Sequence, residues 1–242
     1  MTDQQEHEDE YTDEFVQTLE LIWGEGFLSP GGADEVAMAL DGVDIAGKSV
    51  LDVGCGVGGV DIALVRNHGA ASVHGIDIEQ PLIDSAVARA AREGLSDRIT
   101  YQKVTPGRFP FADESFDLVF SKDAMIHIPD KPALFADVNR VRRPGGFFSG
   151  SDWMRGDEEA ATPELERWIE LLGLALEFES QDRYQAALTT AGFDKVSLVD
   201  RREWARDTLR DDCEQLAGAK NAALRANTGD DADHYVNLWN AG

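Results

Sequence analysis

The chain has 242 residues, 43% hydrophobic and 28% charged, enough for one domain with a sizeable buried core and the balance of a soluble protein. Its 46 Asp and Glu outnumber 22 Lys and Arg, a formal net charge of −24, and a field of that sign repels phosphate backbones and anionic lipid, weighing against nucleic acid and membrane as partners. No apolar run reaches the ~20 residues of a membrane span, the acidic start has no leader pattern, and two cysteines make no disulfide framework, so a cytoplasmic location is expected.

Residues 1 to 10 read as a solvated acidic tail. From Thr12, Phe15, Val16, Leu19, Ile22 and Trp23 recur at helical spacing with Asp13 and Glu14 in the first turn. A second short helix is expected from Ala33 to Leu40. After Gly47 apolar strands alternate with amphipathic helices: strands at 49–53, 72–78, 99–103, 116–121, 146–151 and 196–200, with helices at 60–68, 81–94 and 132–141 between the earlier ones. That alternation predicts an α/β fold, a doubly wound and mostly parallel sheet with helices on both faces. One domain is expected: a tail and helical cap over 1–46, a core over 47–200 interrupted by a helical lid at 156–180, and C-terminal helices over 201–242, read as a helix, a polar loop and a short closing helix. The acids are rich in Asp and the bases are mostly Arg, which fits either a salt-adapted surface or a chain kept soluble by negative charge.

Gly54, Cys55, Gly56, Val57, Gly58 and Gly59 join the first strand to the first core helix. Glycines there let the backbone approach a ligand at the free N–H groups of the helix start. Asp77 ends the second strand, where a carboxylate can accept both hydroxyls of a ribose, and Ile78 follows it. The same spacing satisfies the dinucleotide fingerprint G-x-G-x-x-G. Asp52 tilts the choice, because a carboxylate ahead of the first glycine suits a cationic ligand better than a pyrophosphate. S-adenosyl-L-methionine carries an ammonium and a sulfonium and no phosphate.

With Gly75 to Ile78, Phe116 to Ser121 and Arg143 to Gly146 in the same order and spacing, the chain resembles a class I S-adenosylmethionine-dependent methyltransferase over roughly residues 11 to 200. Tyr11 to Glu14, Trp23 to Gly32 and Ser121 to Asp130 resemble the phosphoethanolamine and sarcosine/dimethylglycine N-methyltransferases. The resemblance implies a Rossmann-like fold, S-adenosyl-L-methionine as cofactor and a small-molecule acceptor, an amine. It assigns catalytic roles to Tyr11 and His127, which latch over the substrate and assist amine deprotonation, and to Asp123 beside the amine. Asp52, Gly54, Cys55, Gly56, Gly58, Asp77, Ile78, Thr105 and Ser121 become the expected cofactor-binding set. Outside that context His127 reads as a core histidine between Met125, Ile126 and Ile128, and Trp153 and Trp168 as lid hydrophobes able to offer a π face to a cation.

Three departures from the family matter. Thr105 stands where many members have an aspartate for the adenine, and the Glu170 to Glu177 stretch lacks the groups that hold a phosphate in the phosphoethanolamine enzymes. No strand is visible after the last helix. The alternatives to N-methylation are an O-, S- or C-methyltransferase of an apolar metabolite and a cofactor-binding protein without turnover. No His/Cys spacing indicates a metal.

Overall fold

The computed structural model describes residues 10–156 and 162–241, so the acidic stretch 1–9 and part of the expected lid lie outside it. Five parallel strands, β1 (Ser49–Val53), β2 (Ser72–Asp77), β3 (Ile99–Lys103), β4 (Phe116–Lys122) and β5 (Arg142–Ser151), form one sheet in the order β3-β2-β1-β4-β5. β1 is central, with Val53 opposite Ile76 and Asp52 opposite Phe120. Strands buried on both faces read as continuous apolar runs, as β1 and β4 do.

Helices cover both faces, as the alternation predicts. On one side α2 (Gly32–Ala39), α3 (Gly59–Arg66) and α4 (Gln80–Arg92) pack Val36, Leu64 and Ala90 on Val50, Val73 and Leu118. On the other, α5 (Lys131–Val141) and α7 (Gln181–Thr190) pack Phe135, Val138, Tyr184 and Leu188 on Leu51 and Val119. A third core joins α1 (Asp13–Trp23) to α8 (Arg202–Ala217), α9 (Asn221–Thr228) and α10 (Ala232–Ala241) through Phe15, Leu19, Ile22, Leu216, Leu224 and Leu238. Thr12 caps α1 by accepting from the Phe15 N–H, and Phe15, Leu19 and Ile22 form its buried stripe. This helical assembly stands beyond the carboxyl ends of the strands, where doubly wound sheets bind ligands.

Three expectations are corrected. The strand at 196–200 does not form: Val196 and Leu198 pack against the second core and Val199 is 71% exposed. Alternating V-S-L-V needs only one apolar wall to satisfy its side chains, whereas a strand also needs a ladder partner, and the described residues offer these positions none. β5 begins at Arg142 rather than Gly146, because Arg142 pairs with Phe116 before a register shift accommodates Pro144 and Gly145. The polar loop expected in the C-terminal region contains α9, anchored by the fully buried Leu224. Among the described residues no helix is long and apolar enough to cross a membrane.

Candidate active site

The glycine loop leaves the central strand with its backbone in the left-handed region at Gly54, Gly56 and Gly58. A Cβ on Gly54 would overlap the Ala124 methyl, so the loop can lie this close to the end of β4 only as glycine. Asp77 ties the loop down: one carboxylate oxygen accepts from the Gly56 N–H at 3.0 Å and the other from the Glu79 N–H at 3.1 Å. Each oxygen keeps lone-pair capacity for a hydroxyl pair. Burial raises the Asp77 pKa, while the N–H groups of Glu79, Gly56 and Ile78 counter the rise. Ile78 next to it is 36% exposed, an apolar surface on which a flat base can rest.

The rest of the expected cofactor set divides. Asp52 is 1% exposed and sealed beneath the loop, where it meets Asp61 of α3. Neither carboxylate meets a donor in full hydrogen-bond geometry among the described residues, although the Tyr101 hydroxyl stands beside Asp61 and lowers its pKa. Burial raises both pKa values, with the Asp77 charge adding to the rise at Asp52 and the Asp52 charge to that at Asp61. Asp52 therefore lies below the loop with almost none of its surface exposed. Ser121 is buried and donates its hydroxyl to the Val53 carbonyl at 2.8 Å, an internal bond between β4 and β1. Cys55 is buried against Gly75, and Thr105 lies exposed beyond β3.

Tyr11 and His127, 116 residues apart, meet with the hydroxyl 3.4 Å from Nε2 and the rings edge to face. His127 lies on a one-turn 3-10 helix, Met125–His127. Its Nδ1 is 3.0 Å from the Ala175 carbonyl, which can only accept, so Nδ1 carries the proton and Nε2 presents a lone pair. Burial lowers the His127 pKa against the raising charges of Glu10 and Asp77, so the imidazole is neutral at neutral pH. Burial, together with Asp77 and Glu79, raises the Tyr11 pKa and keeps its hydroxyl protonated. The Glu79 carboxylate accepts the backbone N–H groups of Glu10 at 3.1 Å and Tyr11 at 3.4 Å, clasping the segment before α1 across the end of β2.

Asp123, directly after β4, has φ +52° and donates its N–H to Ser151. Its carboxylate is 2.9 Å from Lys122 Nζ, which also pairs with Glu35 of α2 at 2.6 Å and donates to the Ser29 hydroxyl and the Pro30 carbonyl. Burial opposes the lysine's charge, but Asp123 and Glu35 overcome it and raise its pKa. Burial and the Asp123 charge raise Glu35 to about 7. One lysine thus holds the 29–30 turn and α2 against the strand end that carries Asp123. Lys122→Met leaves two buried carboxylates uncompensated, and urea unfolding at pH 8 is expected to show a loss of about 3–5 kcal/mol. The loss shrinks as the pH falls and Glu35, without the lysine that lowers its pKa, takes up a proton.

The sequence pattern pointed to neither Lys122 nor Asp152. The Asp152 carboxylate accepts the Ile126 N–H at 3.1 Å and the Tyr184 hydroxyl, fixing the turn that carries His127. Adjacent S-K-D at a strand end is the one local signal for the former; the latter has none.

Tyr11, Asp123 and His127 stand at the wall of a cavity of about 600 Å³. α6 (Pro163–Leu172) and residues 174–178 form much of its far side, held by the Glu177 N–H donating to the Ile126 carbonyl. Among the described residues no group of three His, Cys, Asp or Glu is arranged to hold a metal.

A family model described as a methyltransferase domain matches residues 50–146. Phosphoethanolamine N-methyltransferase 1 of Triticum aestivum is 31% identical over 233 residues, covering 96% of this chain and 46% of that protein. The chain spans about half the length of the phosphoethanolamine relatives it matches. 27-O-demethylrifamycin SV methyltransferase of Amycolatopsis mediterranei is 28% identical, covering 88% of this chain and 83% of its own. Phosphoethanolamine N-methyltransferase 2 of Haemonchus contortus, solved with phosphomonomethylethanolamine and S-adenosylhomocysteine, superposes with a TM-score of 0.88 at 25% identity, over 96% of this chain and 54% of that one.

Proposed function

We propose that the chain is a class I S-adenosylmethionine-dependent methyltransferase that methylates the nitrogen of an amine, with S-adenosylhomocysteine as co-product, a reading supported by the methyltransferase-domain match and the phosphoethanolamine N-methyltransferase relatives. The residues fit the cofactor. Asp77 has lone pairs for the ribose hydroxyls, Ile78 an apolar face for the base, and the glycine loop room for close approach. Asp52 and Asp61, buried below the loop with no donor in full hydrogen-bond geometry among the described residues, complement a cation. S-adenosylmethionine supplies a methyl group on a sulfonium, and an amine that takes it must first lose a proton.

His127 takes that proton at Nε2, the nitrogen left unprotonated by the Ala175 carbonyl on the far side of the ring, as the Tyr11 hydroxyl, 3.4 Å away, yields that lone pair to the amine. Tyr11 orients the imidazole and closes the segment before α1 over the site. Asp123 faces the ammonium, with Lys122 fixing its carboxylate in an otherwise strained backbone position. Positioning and exclusion of water account for the rest of the catalysis. The single observation that carries the reading is the neutral Tyr11–His127 pair set beside an acid in the wall of a cavity.

A second reading, transfer to a hydroxyl, draws on the similarity to 27-O-demethylrifamycin SV methyltransferase, most of whose length the chain covers. Labelled methyl transfer with panels of amines, phenols and thiols separates the two. Product on amines alone supports the first, and product on phenols with none on amines replaces it by the second.

A further inference from the structure

The acceptor cavity has a chemistry of its own. Its walls come from four helices, α1, α6, α8 and α10, from residues 174–178, and from the segments around 28–30, 123–127 and 153–156. Leu19, Trp153, Trp168, Leu172, Phe178 and Trp239 are representative of what they present. Tyr11 and His127 meet in this wall, Asp123 shares it, and apart from Ser29, Arg155 and Thr162 the rest of the described lining is dominated by aliphatic and aromatic side chains. Trp23 already gives its indole N–H to Asp212 at 2.8 Å, so its remaining surface is apolar. At about 600 Å³ the cavity sits inside the range, roughly 300 to 1,000 Å³, that takes drug-sized ligands.

A phosphorylated aminoalcohol matches this chamber poorly. A phosphate dianion must enter a chain of net charge −24. Arg155 is the one Lys or Arg among the described lining residues, and Asp123 shares the same cavity. An amine on a hydrocarbon body meets the opposite conditions. Its ammonium is drawn by the acidic field and by Asp123, and its body displaces water from leucine and tryptophan surfaces.

We propose that the methyl acceptor is an amphiphilic amine, its nitrogen at the Tyr11–His127–Asp123 end and an uncharged, largely hydrocarbon body filling the helical chamber. The inference rests on the methyltransferase reading and adds the class of acceptor to it.

A series of primary n-alkylamines from propylamine to dodecylamine, with phosphoethanolamine beside it, tests the proposal by two readouts. One is transfer of a labelled methyl group. The other is tryptophan fluorescence during titration of the protein saturated with S-adenosylhomocysteine, which needs no turnover. The expected result is a gain of about fourfold in kcat/KM and in affinity per added methylene until the chamber fills, with octylamine preferred to phosphoethanolamine. Leu172→Glu, which sets a carboxylate among the lining side chains, is expected to flatten the slope.

A flat series, methyl transfer to none of the amines, or preference for phosphoethanolamine overturns the proposal. Calorimetry with S-adenosylhomocysteine alone keeps the two levels apart. Uptake of that product with no dependence on chain length removes only the acceptor class, whereas failure to take it up removes the reading beneath as well.

Discussion

Replacing His127 with alanine is expected to lower kcat by about 10²–10⁴-fold, the usual contribution of a positioned general base, while leaving the protein folded. The imidazole is neutral because burial lowers its pKa from the ordinary 6.5, and Nε2 is the nitrogen without a proton because Nδ1 faces the Ala175 carbonyl. The active form is the unprotonated one, so kcat/KM falls as the pH drops through a value below 6.5 and holds above it until another group titrates. His127→Ala removes that acid limb along with the rate. Tyr11→Phe gives a second, signed test. The tyrosine hydroxyl donates to Nε2 and so favours the neutral ring. Without it the acid limb moves to higher pH and the rate falls about tenfold or less, the scale of one hydrogen bond. Rates of His127→Ala within a few fold of the parent, with the acid limb intact, would exclude histidine as the base.

The sequence made central β1 and edge β3 readable because each is a short segment carrying β-branched residues between polar and glycine stretches, and both fall at the expected residues. It misled at 196–200, where the alternation reports a half-buried side-chain pattern and carries no information about a hydrogen-bonding neighbour. It hid α9 because Asn221, Asn227 and Thr228 favour loops locally, while the burial of Leu224 against α1 and α10 decides the matter in the folded chain.

In the site, Asp77 and the glycines were legible because backbone geometry demands those residue types at that spacing. The Tyr11–His127 meeting was not, since nothing periodic links positions 116 apart; family resemblance alone brought them together. Ser121, a polar residue at the end of β4, gives its hydroxyl proton to the Val53 carbonyl inside the sheet, a bond the sequence pattern does not signal. The Glu35–Lys122–Asp123 network was invisible because its members come from α2, the end of β4 and the residue after it, and tertiary packing alone juxtaposes them.

Asp77→Ala is expected to weaken S-adenosylhomocysteine binding by about 100-fold. Two hydrogen bonds from ribose hydroxyls to a carboxylate are worth about 1.5 kcal/mol each at the low end, and 1.4 kcal/mol is a decade of affinity. The loss goes further than the ligand's own contacts. The same carboxylate receives the Gly56 and Glu79 N–H groups, so alanine also frees the loop and the start of α4 that must be ordered around the nucleoside. Asp77→Asn separates the contributions. Its amide oxygen can still accept one N–H, but its NH₂ faces the other donor and cannot accept from a hydroxyl, so most of the loss is expected to remain. Because burial raises the Asp77 pKa above 3.8, protonation begins at a higher pH than for an exposed aspartate, and parent affinity declines as the pH falls towards that range. The alanine variant, lacking the titrating group, shows no such decline from this position. Isothermal titration across pH 4.5 to 8 reads both effects, and an alanine variant that binds within threefold of the parent at pH 7.5 would move the ribose contact away from the end of β2.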